Sequence, residues 1–277
     1  MIHRAAVLGS PVAHSLSPAL HRAGFAAAGL GDWAYDRIEC DGQRLPGLVR
    51  RSGPEWAGYS VTMPGKTAAA EVADARSGRV ELLGVANTLW RGPQGWHAEN
   101  TDVDGVLGAL RAAGIVPGRV LLLGGGGTAR SVVAALAELG TEALTVAGRR
   151  PESTADCVEL SRQLGIDVAV TDLTLDSIAS VVEDIDLVFS TLPAGAPDHL
   201  AATLAGVPAL FDAVYHPWPT ALAAASTPGR ITITGLDMLL HQAFRQFELF
   251  TGCDAPRAAM RQGLVAASGT DLALPVE

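Results

Sequence analysis

The chain has 277 residues, 48% of them hydrophobic, enough for one large domain or two modest ones with a full core. Its 20 Lys+Arg against 29 Asp+Glu leave a net charge of −9, which argues against nucleic acid as a partner and makes any anion-binding cations local. No apolar run approaches the ~18 residues of a membrane span, and MIHRAAVLGSP lacks the apolar core and cleavage site of a secretory leader, so a cytoplasmic protein with no membrane partner is expected. Cys40, Cys157 and Cys253 are odd in number and widely spaced, and no ligand cluster accompanies them, so neither a disulfide frame nor a metal site is expected.

In chain order, a strand is expected near Ala5 to Leu8. Ser17-Pro18 then reads as a cap followed by proline in the first helical turn, starting a helix that ends near Gly29. Strands follow at Trp33 to Ile38 and Ala57 to Val61, with helices at Leu45 to Arg51 and Lys66 to Ala75. Val85 to Trp90 and Trp96 to Asn100 form a hairpin turned by RGPQG. The alternation of short strands and helices predicts a mainly parallel sheet. A helix at Val103 to Ala113 leads into a second unit of alternating strands and helices, with strands at Val168 to Val170, Leu187 to Ser190, Ala209 to Asp212 and Ile231 to Ile233. After Gly235 a long helix carries Phe244, Phe247 and Phe250, as core or interface, and PRAAMRQGLVAAS makes a last one. The fold class is thus α/β in two domains. One is built from 1-102 plus 236-277, and the other, 103-235, is inserted into it.

The inserted unit declares its ligand class. In RVLLLGGGGTARSVVAALAELGTEALTVAGRR, Val120 to Leu123 is an apolar run suited to a strand covered on both faces. Glycines follow as Gly124-x-Gly126-Gly127-x-Ala129, a helix opens at Thr128, and a second strand runs from Ala143 to Ala147. A glycine turn before a helix N-terminus suits a pyrophosphate. The second strand ends on Gly148, Arg149 and Arg150, where a carboxylate would favour NAD and an arginine favours the 2′-phosphate of NADP. NADP is the expected cofactor, of a Rossmann-type domain.

Three polar clusters fall at strand ends and helix starts. Ser15 and Ser17 of GSPVAHSLSPALH sit where a small carboxylate would bind. GYSVTMPGK delivers Ser60, Thr62 and Lys66, and GVANTL with AENTDVDG supplies Asn87, Asn100, Thr101 and Asp102. Amides, hydroxyls and a lysine together match a polyhydroxylated acid, whose hydroxyls each need a donor and an acceptor. Lys66 beside Asp102 makes an acid/base group with an orienting counter-charge. Each also has an ordinary reading, Asp102 as a helix cap and Lys66 as a surface residue. His14, His21, His216 and His241 lie near these motifs and are read as structural or lining residues.

The ordered motifs GSPVAHSLSPALH, YSVTMPGK, GVANTL, ENTD, LLGGGGTAR, STLPAG, DAVYHPWPT and GLDMLLHQAFRQFELFTG resemble the shikimate dehydrogenase family over nearly the whole chain. The resemblance implies NADPH-dependent reduction of 3-dehydroshikimate to shikimate in the shikimate pathway, with Lys66 and Asp102 as catalytic pair. It further implies Ser15, Ser17, Ser60, Thr62, Asn87, Tyr215 and Gln242 as substrate ligands. Gly124, Gly126, Gly127, Thr128, Ala129, Arg149, Arg150, Thr191, Leu192, Pro193, Gly235 and Met238 would bind the cofactor. Two departures stand out: Ser60 where the family usually has Asn, and Gly148 where it has Asn near the adenosine ribose. The competing readings are an NAD-dependent quinate/shikimate dehydrogenase, whose acidic residue near 148 to 150 is missing, and a silent NADP-binding sensor. The expected assembly is a monomer or homodimer.

Overall fold

The computed structural model describes residues 2–225 and 227–276. Its tertiary contacts divide the chain into two compact units, Met1–Gly105 with Leu239–Glu277, and Val106–Met238. The first unit opens with β1 (His3–Gly9), α1 (Ser17–Ala27), β2 (Trp33–Glu39), α2 (Leu45–Arg51), β3 (Trp56–Val61), α3 (Lys66–Val72), β4 (Ala75–Arg76), α4 (Gly78–Leu83), β5 (Thr88–Gly92) and β6 (Gly95–Glu99). Helix α5 (Asp102–Ala112) leads into the second unit, which holds β7 (Arg119–Leu123), α6 (Gly127–Glu138), β8 (Ala143–Ala147), α7 (Ala155–Gln163), β9 (Asp167–Thr171) and α8 (Leu175–Ala179). It continues with β10 (Leu187–Ser190), α9 (Ala201–Leu204), β11 (Ala209–Asp212), α10 (Ala221–Ala224) and β12 (Ile231–Thr234). Helices α11 (Gly235–Thr251) and α12 (Arg257–Ser268) return the chain to the first unit. Both divisions therefore fall inside a helix, where the hydrogen-bonded backbone runs on without a linker.

The sheet of the first unit has the order β2-β1-β3-β5-β6-β4. It is mainly parallel, as expected: β1 pairs in parallel with β2 and β3, and β4 with β6, the exception being β5, which runs antiparallel to both β3 and β6. The hairpin forces this, because a two-residue connection joins only antiparallel strands. Its turn is Pro93-Gln94 between Gly92 and Gly95, so the strands begin and end nearer the tip than expected. Residues 85–87 are left outside β5, where the Ala86 amide donates to the carbonyl of Lys66 and the Asn87 carbonyl accepts from the Val61 amide.

Strand alternation then assigns the faces. Tyr59 and Val61 enter a core with Leu45, Val49 and Trp96. Gly58 and Ser60 face the other way, toward α11: a Cβ on Gly58 would lie 2.1 Å from the Phe250 ring. Small residues on this face of β3 let the helix approach closely. Phe244, Phe247 and Phe250 are all buried, so these aromatics are core. The segment after α3 departs from expectation, which ran one helix on to Ala75. Ser77 accepts from the Val80 amide at 3.2 Å to start α4, and Gly84 with φ 66° ends it.

In the second unit the sheet order is β12-β11-β10-β7-β8-β9, every pairing parallel. Read from the other edge and numbered within the unit, this is 3-2-1-4-5-6, the doubly wound order of Rossmann-type dinucleotide-binding sheets. Val120 to Leu123 are wholly buried, as strands with helices on both faces require.

Candidate active site

Strand register gathers the first unit's polar clusters at one end of its sheet. Leu8 pairs with Val61, Ser60 with Thr88, and Thr88 with Glu99. The chain leaving β1 toward Ser15, the turn leaving β3 toward Lys66, the entry to β5 at Asn87 and the exit of β6 toward Asp102 therefore lie together. Because β5 is antiparallel, its beginning meets the end of β3.

There Lys66 Nζ donates to Asp102 Oδ2 at 2.5 Å. The pair is largely shielded, with side-chain exposures of 17% and 10%, which strengthens a charge-assisted contact over its value in water. Lys66 is also the sole lysine of the sequence. The second carboxylate oxygen, Oδ1, accepts from Asn87 Nδ2 at 2.8 Å, so Asp102 is held at both oxygens. Asn87 Oδ1 accepts from the Thr101 amide at 2.7 Å, from Thr88 Oγ1 at 2.9 Å and from Thr101 Oγ1 at 3.1 Å. These donors fix the amide with its nitrogen toward the carboxylate. Gln242 Oε1 accepts from Asn87 Nδ2 and Thr101 Oγ1, each at 3.3 Å, and its Nε2 donates to the Leu239 carbonyl.

Lys66, Asn87, Asp102 and Gln242 are thus in one hydrogen-bonded cluster, joined by Thr101. Asn100 sits beside it, buried, and donates to the Val85 carbonyl at 3.0 Å. Ser15 Oγ donates to Ser17 Oγ at 3.2 Å and accepts from the Ser17 amide at 3.3 Å. That corrects the expected cap: Ser17 is the first residue of α1, and Leu16 holds the cap position without a side-chain hydrogen bond. Thr62 is half-buried, and its methyl occupies the space a Cβ on Gly9 would take, at 2.3 Å. Ser60 is buried, donating to Gln246 Oε1 at 2.6 Å and accepting from the Tyr35 hydroxyl at 2.6 Å.

Sequence reasoning missed Tyr35, Thr88 and Gln246. For Gln246 a signal existed, since it follows Gln242 by four residues on one helix and so shares its face. For Tyr35 none did, because its partner is brought to it only by strand order. His21 is wholly buried, its ring stacked on Tyr35 at 4.3 Å between centroids. Burial drives its pKa down to about 3, and burial with the charge of Arg257 lowers that of His241 to about 4.

In the second unit, Gly124 ends β7 with φ 105°, the left-handed region open to glycine. A Cβ there would lie 2.6 Å from Thr191 Oγ1 and 3.3 Å from Leu192 Cδ2. Thr191 follows β10 and donates to the Leu123 carbonyl at 3.0 Å. The sheet order reverses between β7 and β10, the switch point at which open α/β sheets take ligands. Helix α6 begins at Gly127 rather than Thr128, after Gly126, and no side chain caps it. A helix start without a side-chain cap suits an anion, and space around Gly126 is open, with nothing within 4 Å of a Cβ placed there.

Thr128 and Ala129 form the first turn of α6, with Ala129 buried. Arg149 and Arg150 are exposed beyond β8, while a Cβ on Gly148 would meet the Thr154 methyl at 2.4 Å. Pro193 is exposed and Leu192 half-buried. Gly235 opens α11 against the Ala213 carbonyl, 2.1 Å from where its Cβ would lie, and Met238 is buried one turn on. Thr234 caps that helix, bonded reciprocally with Asp237. Tyr215 belongs to this unit too, its phenol pKa raised by burial. Among the described residues no cluster of His, Cys, Asp or Glu is arranged to hold a metal ion, and no helix is long and apolar enough to cross a membrane.

A Rossmann-type unit together with an α/β unit that carries a largely shielded lysine–carboxylate cluster defines the class as a two-domain α/β oxidoreductase. Family models match as the shikimate dehydrogenase substrate binding domain at residues 7–89, shikimate / quinate 5-dehydrogenase at 109–201 and the shikimate 5'-dehydrogenase C-terminal domain at 235–264. The chain is 35% identical to shikimate dehydrogenase (NADP(+)) of Thermosynechococcus vestitus, over 96% of each chain. Among solved structures it is similar to the shikimate dehydrogenase of Mycobacterium tuberculosis, with TM-score 0.91 and 49% identity over 95% of this chain and 99% of that one. It is also similar to shikimate 5-dehydrogenase of Thermus thermophilus in complex with NADP(H) and shikimate, with TM-score 0.82 and 31% identity over 96% and 99%. The chain belongs to the shikimate dehydrogenase family.

Proposed function

We propose that this protein catalyses the reversible NADPH-dependent reduction of 3-dehydroshikimate to shikimate, with Lys66 and Asp102 as the catalytic pair. The observation that carries the reading is the 2.5 Å contact of Lys66 Nζ with Asp102 Oδ2, beside the Asn87 and Gln242 amides, in a member of this family. Ser15, Ser17 and Thr62 add hydroxyls at the same end of the sheet, suited to a polyhydroxylated carboxylate.

The second unit's residues fit NADP. Gly124, Gly126 and Gly127 with the uncapped start of α6 would take the pyrophosphate, and Thr191, Leu192, Pro193, Gly235 and Met238 would line its other parts. Arg149 and Arg150 make no ion pair or hydrogen bond with their side chains among the described residues, so a 2′-phosphate meets guanidinium groups with no partner to displace. When bound, the reduced nicotinamide supplies the hydride. Lys66 gives a proton from Nζ to the ketone oxygen as it becomes an alcohol, and takes it back in the oxidative direction. Asp102 keeps that ammonium aimed, and Asn87 keeps Asp102 aimed.

The test follows nicotinamide absorbance with shikimate or quinate, and NADP or NAD, in wild type and Lys66→Ala. Rapid NADP reduction with shikimate is expected, with kcat about 10² to 10⁴-fold lower in the variant and KM much less affected. Near-normal kcat in Lys66→Ala would reject the catalytic assignment, and turnover mainly with NAD or quinate would reject the substrate and cofactor.

A further inference from the structure

We propose that Gln246 is a positioning residue for the Lys66–Asp102 pair, and that Ser60 and Tyr35 hold Gln246 rather than substrate; this rests on that pair being catalytic. The hydrogen bonds have one direction from end to end. The Tyr35 hydroxyl donates to Ser60 Oγ at 2.6 Å, and Ser60 donates to Gln246 Oε1 at 2.6 Å. With its oxygen so engaged, Gln246 turns Nε2 the other way, donating to Thr88 Oγ1 at 2.9 Å and to the Asn87 carbonyl at 3.2 Å. Thr88, receiving that hydrogen, directs its own to Asn87 Oδ1 at 2.9 Å. Asn87 Nδ2 then meets Asp102 Oδ1 at 2.8 Å, and Oδ2 is left to Lys66.

Ser60, Thr88, Asn87 and Gln246 are all buried. In such surroundings an unmade hydrogen bond costs more than in water, and a filled chain polarises its members in one sense. Reversing the Asn87 amide would set its oxygen against a carboxylate oxygen, so whatever fixes its orientation also fixes Asp102. Gln246 acts on it twice, through the Thr88 hydroxyl and through the main-chain carbonyl. Ser60 has given its only hydrogen to Gln246 and has accepted one from Tyr35. It has no donor left for a substrate hydroxyl.

The position of Lys66 as the sole lysine provides a readout independent of turnover, because protein labelled at lysine nitrogen shows one side-chain signal. Gln246→Met keeps length and volume but removes the donor and acceptor. It is expected to lower kcat for shikimate oxidation by about 10- to 100-fold, the scale of a misaimed catalytic group, while KM for shikimate stays within about threefold and the lysine signal moves. Ser60→Ala is expected to act the same way more weakly, and Tyr35→Phe more weakly still. A folded Gln246→Met with unchanged kcat and lysine signal would overturn the proposal. So would a Ser60→Ala that raises KM alone, which would make Ser60 a substrate ligand. Should Gln246→Met fail to fold, Ser60→Ala decides by the same readouts. Wild type without shikimate turnover would remove the functional reading instead, and the lysine signal would still report whether Gln246 orders the pair.

Discussion

Replacing His21 by phenylalanine should flatten the dependence of stability on acid, by an amount the burial of this ring sets. The imidazole packs among Phe25, Tyr35, Phe247 and Phe250, with no carboxylate in that aromatic shell. Burial lowers its pKa from 6.5 to about 3, and neither ring nitrogen has a hydrogen-bond partner among the described residues. The native ring is neutral wherever the unfolded one takes a proton, so between these values the unfolded state binds more protons and stability falls with pH. At about pH 5 the loss is about 2 kcal/mol, from ~1.4 kcal/mol per pH unit. Phenylalanine has no proton to gain and fits an aromatic stack. The assay is urea denaturation at a series of pH values, read by tryptophan fluorescence. Trp33, with its ring 5.1 Å from Phe25, reports on this cluster. His241 titrates in both proteins and cancels in the difference. Parallel stability curves for wild type and His21→Phe from about pH 7 to 5 would refute the reasoning.

Two perturbations address the second unit. Arg149→Ala, with Arg150 retained, should raise KM for NADP by about 10- to 100-fold, the worth of one charge-assisted hydrogen bond, and leave KM for NAD unchanged in parallel steady-state assays. Equal effects on both cofactors would show that the guanidinium does not reach a 2′-phosphate. Gly124→Ala must adopt φ near 105° and push Thr191 Oγ1 from 2.6 Å. It should cost about 1–3 kcal/mol in urea denaturation and weaken NADP binding measured by titration calorimetry.

Local sequence signals carried much of the fold, and their limits are physical. Strands β8, β10 and β11 appear where apolar runs between turn residues put them, because a strand buried on both faces must be apolar throughout. Lys66, Asn87 and Asp102 were legible as polar residues at element ends, where strand register later joins them. What was not legible depends on partners distant in sequence. Strand β4 is two residues long and exists through its pairing with β6, so it carries no periodicity to read. The Ser17 cap failed because Ser15, two residues earlier, takes the helix's first amide instead. Ser60 looked like a shortened substrate contact, and only the packing of α11 across β3 shows where its hydroxyl goes.

Charge chemistry brings the two units' cations under one argument. Every cationic side chain other than Lys66 is an arginine or histidine. Arginine holds its proton at any pH the fold survives, so it binds anions but cannot serve as a proton donor near neutrality. That suits Arg149 and Arg150 to a phosphate and disqualifies them from acid/base work. His21 and His241 are driven toward the neutral form by burial and are equally unsuited to give a proton. Within the hydrogen-bonded cluster of Lys66, Asn87, Thr101, Asp102 and Gln242, Lys66 is the cation able to exchange one, and no second lysine stands ready to replace it. Loss of activity in Lys66→Ala would therefore measure the whole contribution of lysine acid/base chemistry rather than a remainder shared with a neighbour. The same solitude explains why the carboxylate opposite it is held at both oxygens. With Lys66 as the proposed proton donor, an error in aiming Asp102 would have no compensation from another lysine, and the buried amides of Asn87, Gln242 and Gln246 are placed where they would prevent it.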